Sequence, residues 1–223
     1  MALRMAQMMM VELGGEELAL LPERAAWWGA ARTLIAADLH WGKSEAFRAG
    51  GVPIPRGVQG EQLARLDGLI ERWRPERVLV VGDLLHAPAG LTGDLIERVA
   101  AWRASHAGGP RLALVPGNHD RRLDAVAERW GIEVLEEGHR EGGLRFCHEP
   151  CGRVHEGGYT VAGHVHPAVT ISGGGDAVKL PCFHATRACL TLPAFSRFTG
   201  GVSVRRGPGD RVFAIAEGHV LEV

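Results

Sequence analysis

Polar residues that bind metals or move protons follow three apolar stretches in the first half of the chain. The stretches are residues 33–38 (TLIAAD), 77–83 (RVLVVGD) and 112–115 (LALV), each short and apolar enough to form a strand. They lead into the motifs Asp38-Leu39-His40, Gly82-Asp83 and Gly117-Asn118-His119-Asp120. In open α/β sheets, ligands gather at the carboxyl ends of the strands. The chain is therefore expected to bring two carboxylates, two imidazoles and an amide to one edge of a sheet.

Three later histidines extend this set. His148 lies in FCHEP, just after another predicted strand, and His164 and His166 lie in AGHVHP. Residues two apart on a strand point to opposite faces, but a turn after Gly163 would let both imidazoles converge on one site. Each motif alone is explained more simply as a turn, a helix cap or a surface histidine. Five such motifs at strand ends indicate a functional site.

The number and type of these side chains favour two metal ions. A single tetrahedral zinc needs only three or four ligands, whereas the chain offers seven. The seven are Asp38, His40, Asp83, Asn118, His148, His164 and His166. Mixed imidazole and carboxylate ligation accepts manganese, iron or zinc, and an amide oxygen favours the harder ions. Two ions about 3.5–4 Å apart are the arrangement used in phosphoester displacement.

The hydrophobic pattern predicts an α/β fold in one domain over residues 1–223. An early strand is expected at 17–21, and helical spacing relates Leu63 to Trp73, Leu91 to Trp102, and Leu123 to Trp130. Residues 39–60, rich in glycine and proline, are expected to form a loop. After Gly131 the pattern changes to short strands at 144–147, 159–162, 168–171, 178–183 and 188–192, with a final hairpin. Two sheets are therefore expected.

Composition limits the partners. Twenty-five basic and 26 acidic residues give a net charge of −1, so polyanion binding must come from local patches or metal ions. No stretch approaches the roughly 18 apolar residues of a membrane span, and the N-terminus lacks the apolar core of a signal peptide. We therefore expect a cytoplasmic protein with no membrane partner, and its four cysteines are expected to be reduced thiols.

The order DLH, GD, GNHD, H and GHVH over residues 38–166 resembles the calcineurin-like metallophosphoesterase superfamily. The resemblance implies a four-layer sandwich of two mixed β-sheets flanked by helices. It also implies that one metal is held by Asp38, His40, Asp83 and His166, and the other by Asp83, Asn118, His148 and His164. Asp83 would bridge the two ions, and His119 would be the non-ligand histidine beside the scissile phosphate.

The two residues after Asn118 have predicted catalytic roles. His119 would act as a general acid toward the leaving group, and Asp120 would orient its imidazole and raise its proton affinity. A second interpretation leaves Asp120 as a plain cap on the helix predicted through Leu123 and Val126. Both interpretations stay open at the level of sequence.

A nearer resemblance rests on residues 37–57 (ADLHWGKSEAFRAGGVPIPRG) and 192–201 (LPAFSRFTGG). These stretches are similar to the ligase-associated DNA damage response endonuclease (PdeM) subfamily. That resemblance implies a manganese-dependent phosphodiesterase and DNA endonuclease, associated in function with a DNA ligase, a helicase and an exonuclease. A near-neutral charge suits a single-stranded or flexible DNA substrate captured mainly by the metals.

Residues near the first metal-binding motif are candidates for contacting that substrate. Lys43 and Arg48 are predicted to assist the phosphate, with Arg56 in the same basic segment. Trp41 and Phe47 could stack on unpaired bases, although core packing explains Trp41 equally well. Edge strands in the second half could pair into a homodimer.

Other functions fit the same ligand set. A nucleotide or nucleotide-lipid phosphodiesterase or pyrophosphatase, a cyclic nucleotide phosphodiesterase and a protein phosphatase would use these ligands too. The alternative that is not an enzyme is a non-catalytic scaffold of the same fold, which would bind partners only. It is disfavoured because His119 and all seven ligands are present.

Overall fold

A computed structural model of the protein describes residues 7–55, 57–156 and 158–223. The predicted basic residue Arg56 lies outside these residues. The helices are α1 (Lys43–Ala49), α2 (Val58–Trp73), α3 (Gly93–Ser105) and α4 (Ala127–Trp130). In the first half, the strands are β1 (Met9–Leu13), β2 (Glu16–Leu21), β3 (Ala25–Trp28), β4 (Thr33–Ala37), β5 (Arg77–Val81), β6 (Arg111–Val115) and β7 (Ile132–Val134). The later strands are β8 (His139–Glu141), β9 (Leu144–Cys147), β10 (Tyr159–Ala162), β11 (Pro167–Gly173), β12 (Asp176–Ala185), β13 (Cys189–Thr191), β14 (Val202–Ser203), β15 (Arg211–Ala216) and β16 (His219–Glu222).

The strands form two mixed sheets, as predicted. The first sheet has the order β1-β2-β3-β4-β5-β6-β7, antiparallel from β1 to β4 and parallel from β4 to β7. The second has the order β14-β11-β12-β13-β10-β9-β8, with the β15–β16 hairpin joined through β12. Within it, β9, β10 and β13 run parallel to one another. The predicted metal-binding motifs follow three parallel strands of the first sheet, β4, β5 and β6, and two of the second, β9 and β10.

Two apolar layers separate the elements. Helices α2, α3 and α4 pack on one face of the first sheet, around the buried side chains of Leu66, Val99 and Trp130. The opposite face of that sheet packs on the second sheet, where Ile35 and Val81 lie in one cluster with Phe183 and others. The helices described all precede Gly131 in the sequence and flank the first sheet. In the second sheet, a small apolar cluster lies around Cys182. The two sheets thus share one apolar layer, and the single domain over residues 1–223 stays a prediction.

Three local predictions differ from the structure. The loop predicted at 39–60 contains α1 and the first turn of α2, and the helix predicted through Leu123 and Trp130 is a 3₁₀ turn (Leu123–Ala125) followed by the single turn of α4. Strands β1, β3, β7, β8 and β14 were not predicted. For β3, the sequence AAWW has no polar alternation and fits a buried helix segment equally well. Among the described residues, no helix is long and apolar enough to cross a membrane.

Helix α1 is placed by a contact between two glycines. Gly42, at its N-terminus, faces Gly90 of the 3₁₀ turn Pro88–Gly90. A Cβ on Gly42 would lie 2.6 Å from the carbonyl oxygen of Gly90, so neither position tolerates a side chain. This close approach sets α1 beside the loop after β5, and therefore beside the predicted metal site.

Candidate metal centre

The structure brings together the predicted ligands from both sheets. Backbone contacts hold the strand ends in place: the amide of His40 donates to the carbonyl of Asp83 (3.0 Å), and the amide of His164 donates to Oδ2 of Asp38 (2.7 Å). The second contact joins the loop after β4 in the first sheet to the loop after β10 in the second. Two clusters of ligand atoms result, each compact enough to hold a metal ion.

The first cluster consists of Asp38, His40 and His166. The Nε2 atoms of the two histidines face each other at 3.1 Å, and Nε2 of His166 lies 3.6 Å from Oδ2 of Asp38. Asp38 and His40 are buried, and Oδ1 of Asp38 has no hydrogen-bond partner. A buried carboxylate oxygen without a partner is costly unless a cation or donor satisfies it. A divalent cation fits that requirement.

The second cluster consists of Asp83, His148 and His164, with Asn118 at its side. Nε2 of His148 lies 2.8 Å from the amide oxygen of Asn118, 2.9 Å from Nδ1 of His164 and 3.7 Å from Oδ1 of Asp83. Carboxylate, imidazole and amide donors therefore converge here too, a set that suits divalent transition metals. All seven predicted ligands lie in one of the two clusters or against it.

The backbone at the ligands is unusual. Asp38 (φ 52°), His40 (φ 50°), His164 (φ 67°) and His166 (φ 51°) all adopt the left-handed conformation. Non-glycine residues do this uncommonly, although Asp and His are enriched among those that do. Such strain clusters at functional sites, where the surrounding structure enforces it. In the D-x-H and H-x-H motifs, the first and third residues both have this left-handed conformation, and residues two apart therefore both contribute to the centre.

Three glycines make room for the ligands. A Cβ on Gly82 would meet the ring of His148, one on Gly117 would meet Asp83, and one on Gly163 would lie 2.6 Å from Oδ2 of Asp38. Gly82 also has φ 84°, which other residues rarely adopt. The glycines of the GD, GNHD and GH motifs are thus required by the packing of the ligands themselves.

Burial and neighbouring charges favour the neutral form of three ligand imidazoles, those of His40, His148 and His166. Burial, followed by the neighbouring His166, lowers the pKa of His40 to about 2. Burial also lowers the pKa of His148, and burial followed by the charge of Lys43 lowers the pKa of His166 to about 4. Neutral imidazole is the form that binds metals. In contrast, burial and then the charge of Asp83 raise the pKa of Asp38 well above its ordinary value. A bound cation would offset that crowding of negative charge.

His119 lies at the open side of the centre. Its backbone amide donates to Oδ1 of Asp83 (3.0 Å), and its Nε2 lies 3.9 Å from Oδ2 of the same carboxylate. Its Nδ1 lies 2.6 Å from the carbonyl oxygen of His86, so Nδ1 carries a proton and donates it. The half-exposed ring therefore directs Nε2 toward the centre, as a residue that acts on substrate would require.

Asp120 is not the partner of the His119 ring. Its carboxylate accepts hydrogen bonds from the backbone amides of Leu85 (2.7 Å), Gly117 (2.8 Å) and Leu84 (3.3 Å). It therefore ties the loop after β5 to the loop after β6, and it does not orient the imidazole. Both sequence interpretations, the orienting carboxylate and the helix cap, are replaced by this role. Burial raises the pKa of Asp120 to about 6.

The predicted substrate contacts separate into two groups. Lys43, at the start of α1, is close enough to the centre that its charge helps lower the pKa of His166, after burial. Arg48 instead pairs with Glu45 (2.9 Å) and donates to the carbonyl of Pro55 (3.3 Å), which holds the loop after α1. Among the described residues, Arg48 makes these contacts and no hydrogen bond to a predicted ligand, and its role toward the phosphate stays a prediction.

The two aromatic candidates also separate. Trp41 is fully buried, with its ring 5.6 Å from that of Trp130 and 6.1 Å from that of Trp102, so it belongs to the core beneath the helices. Base stacking by Trp41 is therefore wrong, and core packing is confirmed. Phe47 is 37% exposed, and its ring stacks on that of His86 at 6.1 Å.

Sequence reasoning missed two residues. No motif gave His86 a role, yet its ring stacks on that of His119 (5.4 Å, 11° between planes) and its carbonyl accepts from the same ring. Its place three residues after Asp83 was the available signal. Phe198 was also missed; its ring lies 5.7 Å from that of Phe47. No local signal predicts that contact, because 150 residues separate the two positions in the printed sequence.

Comparisons with known proteins agree with this geometry. The sequence model of the calcineurin-like phosphoesterase family matches residues 31–186. The fold is similar to the crystal structure of the nuclease MPE of Pseudomonas putida, with a TM-score of 0.84, 30% identity, and coverage of 97% of this chain and 100% of that one. The phosphoesterase YfcE of E. coli is a weaker match, with a TM-score of 0.46 and 14% identity over 86% of this chain and 97% of that one.

A search of curated proteins finds no match. The resemblance predicted from the motifs is nevertheless confirmed, because the family match and the likeness to the nuclease agree with it. The match spans more than half of the chain and includes every predicted ligand, and the chain therefore belongs to the calcineurin-like phosphoesterase family.

Proposed function

We propose that this phosphoesterase is a binuclear metal-dependent phosphodiesterase that cuts DNA strands internally. One observation carries the proposal: two adjacent ligand clusters open beside His119, an imidazole that ligates neither. Two ions and a separate proton donor are what hydrolysis of a diester with a poor leaving group needs. The likeness to a nuclease favours DNA as the diester.

The ligands divide between two divalent ions. Asp38, His40 and His166 would hold one ion, and Asn118, His148 and His164 would hold the other, with Asp83 shared between them. When bound, such ions polarise the phosphoryl group and lower the pKa of a coordinated water. Manganese is the proposed metal, since an amide oxygen and two carboxylates accompany the imidazoles; iron and zinc suit much of the same set.

His119 is the proposed proton donor to the leaving oxygen. Because its Nδ1 proton is committed to the His86 carbonyl, the proton exchanged with substrate must sit on Nε2. Lys43 is close enough to His166 for its charge to help lower the pKa of that imidazole, after burial, and it would donate to a nonbridging phosphoryl oxygen. Its ammonium would offset the negative charge that grows in the transition state.

The biological setting is proposed from the nearer resemblance. That resemblance supports a role in DNA repair, together with a DNA ligase, a helicase and an exonuclease. The net charge of −1 favours a flexible or single-stranded substrate, because little surface charge is available to hold a duplex backbone.

The test uses metal-stripped protein restored with manganese. It is incubated with circular single-stranded DNA and, separately, with bis-p-nitrophenyl phosphate, and the variant Asp83→Ala serves as control. We expect linear DNA and nitrophenol, both lost in the control, with two manganese ions per chain by elemental analysis. Hydrolysis of the small diester with intact circles would reject the endonuclease and point to nucleotide or nucleotide-lipid substrates. Inactivity on both substrates would reject the proposal that the protein is a phosphodiesterase.

A further inference from the structure

A column of stacked rings leads from His119 to the protein surface. The ring of His86 lies nearly parallel to that of His119, at 5.4 Å and 11°. The ring of Phe47 stacks in turn on that of His86, at 6.1 Å and 26°. Phe198 closes the column edge-on against Phe47, at 5.7 Å and 78°. We refer to Phe47 and Phe198 as the aromatic platform.

The aromatic platform is not part of the packed interior. Neither ring belongs to the three buried apolar clusters of the described residues, and 37% of Phe47 is exposed. Exposure of a large aromatic side chain has a cost that burial elsewhere would avoid. Folding alone therefore does not account for two phenyl rings at the rim of a polar metal centre.

Two independent elements hold the aromatic platform in place. Phe47 projects from α1, which is fixed by the contact between Gly42 and Gly90. Phe198 follows the segment at 194–196, where Arg24 donates to the carbonyl of Ser196 (3.0 Å) and Arg65 donates to that of Phe195. Because contacts with the rest of the fold fix both segments, the two rings are preorganised before any substrate binds.

We infer that the aromatic platform stacks an unpaired nucleobase of the strand whose phosphate lies at the metal centre. This inference rests on the proposed function and names the part of the substrate that the metals do not recognise. Every nucleobase offers a flat face, so stacking is tolerant of sequence. Lys43, in the same helix as Phe47, and the exposed Arg197, beside Phe198, supply the positive charge that the flanking phosphates need.

Base stacking on the aromatic platform would favour single strands. In a duplex the faces of the bases are covered by their neighbours, so a base reaches a protein ring only when the strand is unpaired or splayed. A platform two ring-to-ring steps from His119 would therefore select flexible strands even though the metals accept any phosphodiester. The selectivity would reside in Phe47 and Phe198, and the chemistry in the ligands and His119.

The test compares two single-stranded oligonucleotides that contain one cleavable phosphodiester among methylphosphonates. One has normal nucleotides beside that bond, and the other has tetrahydrofuran abasic residues there. The variants are Phe47→Leu, Phe198→Leu and Phe47→Trp, with Ile171→Ala as a control, because Ile171 is also 37% exposed but lies on the β11–β12 hairpin.

Loss of one stacked base is expected to reduce kcat/KM by roughly 5- to 150-fold. The wild-type protein and Ile171→Ala should therefore cleave the normal oligonucleotide better than the abasic one by about that factor. Each leucine variant should lose the difference by slowing only on the normal oligonucleotide, and Phe47→Trp should retain it. Melting temperatures of the variants are measured in parallel.

Two outcomes would overturn the inference. Leucine variants that keep the wild-type difference would show that no base rests on the aromatic platform. Equal losses on both oligonucleotides would mean that the rings merely support His86. Failure of the proposed function is distinct, because the wild-type protein would then cleave neither oligonucleotide while still hydrolysing bis-p-nitrophenyl phosphate; the DNA-stacking inference would fall with it.

Discussion

Substitution of Gly117 by alanine should damage the metal centre more than the fold. A Cβ at this position would lie 2.6 Å from the backbone nitrogen of Asp83, whereas ordinary contacts begin at 3.4 Å. The loop after β6 or the loop after β5 must therefore move by about 0.8 Å, the difference between these two distances. Either movement separates Asn118 from the carboxylate that the two ions are proposed to share.

The size of the effect follows from that displacement. Misplacement of catalytic groups by about 1 Å can cost about 100-fold in rate, so we expect kcat/KM on bis-p-nitrophenyl phosphate to fall by about that factor. Overpacking of a filled site typically costs about 1–3 kcal/mol of unfolding free energy. The variant should therefore fold, bind less manganese at a given free concentration, and turn over slowly.

The matched control is Gly68→Ala in α2. No atom lies within 4 Å of a Cβ built at Gly68, which is exposed in the middle of the helix. Alanine is favoured over glycine in a helix by about 1 kcal/mol, so this variant should be more stable and equally active. Urea denaturation, manganese titration and steady-state kinetics are compared for both. Normal manganese binding and kcat/KM in Gly117→Ala would refute the close-packing argument.

Three further predictions concern side chains around the centre. His119→Ala should lower the rate on DNA by about 10²- to 10⁴-fold but spare p-nitrophenyl esters, whose leaving group needs no proton; equal losses would contradict the proton-donor role. Lys43→Ala should lower kcat/KM on DNA by about 10- to 150-fold, the equivalent of one hydrogen bond to a charged group, whereas Arg48→Ala should stay within about twofold. A larger loss in Arg48→Ala than in Lys43→Ala would instead support the predicted phosphate role of Arg48. Asp120→Asn should lower the unfolding free energy by about 1–3 kcal/mol in urea, because an amide offers fewer acceptors to three backbone donors. A selective loss on poor leaving groups in Asp120→Asn would instead reinstate its link to His119.

The ligands were predictable from sequence because each lies in a short motif of its own. A strand followed by Asp38, Asp83 or Asn118 identifies both the element and the edge at which the residue lies. These ligands can therefore be recognised from the sequence without knowledge of the fold. Gly82 and Gly117 were also visible in these motifs, although the reason for them, contact with His148 and Asp83, appears only in three dimensions.

The failures concern contacts between distant segments and short elements. Asp120 could be assigned to His119 because the two are adjacent in sequence, whereas its actual partners include Leu84 and Leu85, 35 or more residues away. The pairing of Arg48 with Glu45 was also missed, because it depends on α1, and the flanking glycines and prolines predicted a loop there instead of a helix. A local sequence pattern suggests what a residue could do, but the partners that compete for its side chain depend on the fold.

The metal centre also acts as a junction between the two sheets. Asp38 follows β4 of the first sheet and His164 follows β10 of the second, and the hydrogen bond between them crosses the site. Asp38 and His164 both have left-handed backbones, which cost roughly 1–3 kcal/mol each when nothing enforces them. That strain persists because the sheets pack face to face beneath the site, where Val81 and Phe183 lie in the same apolar layer. The second half of the chain is therefore required for the geometry of the motifs in the first half, even though the first half alone carries Asp38, Asp83 and His119.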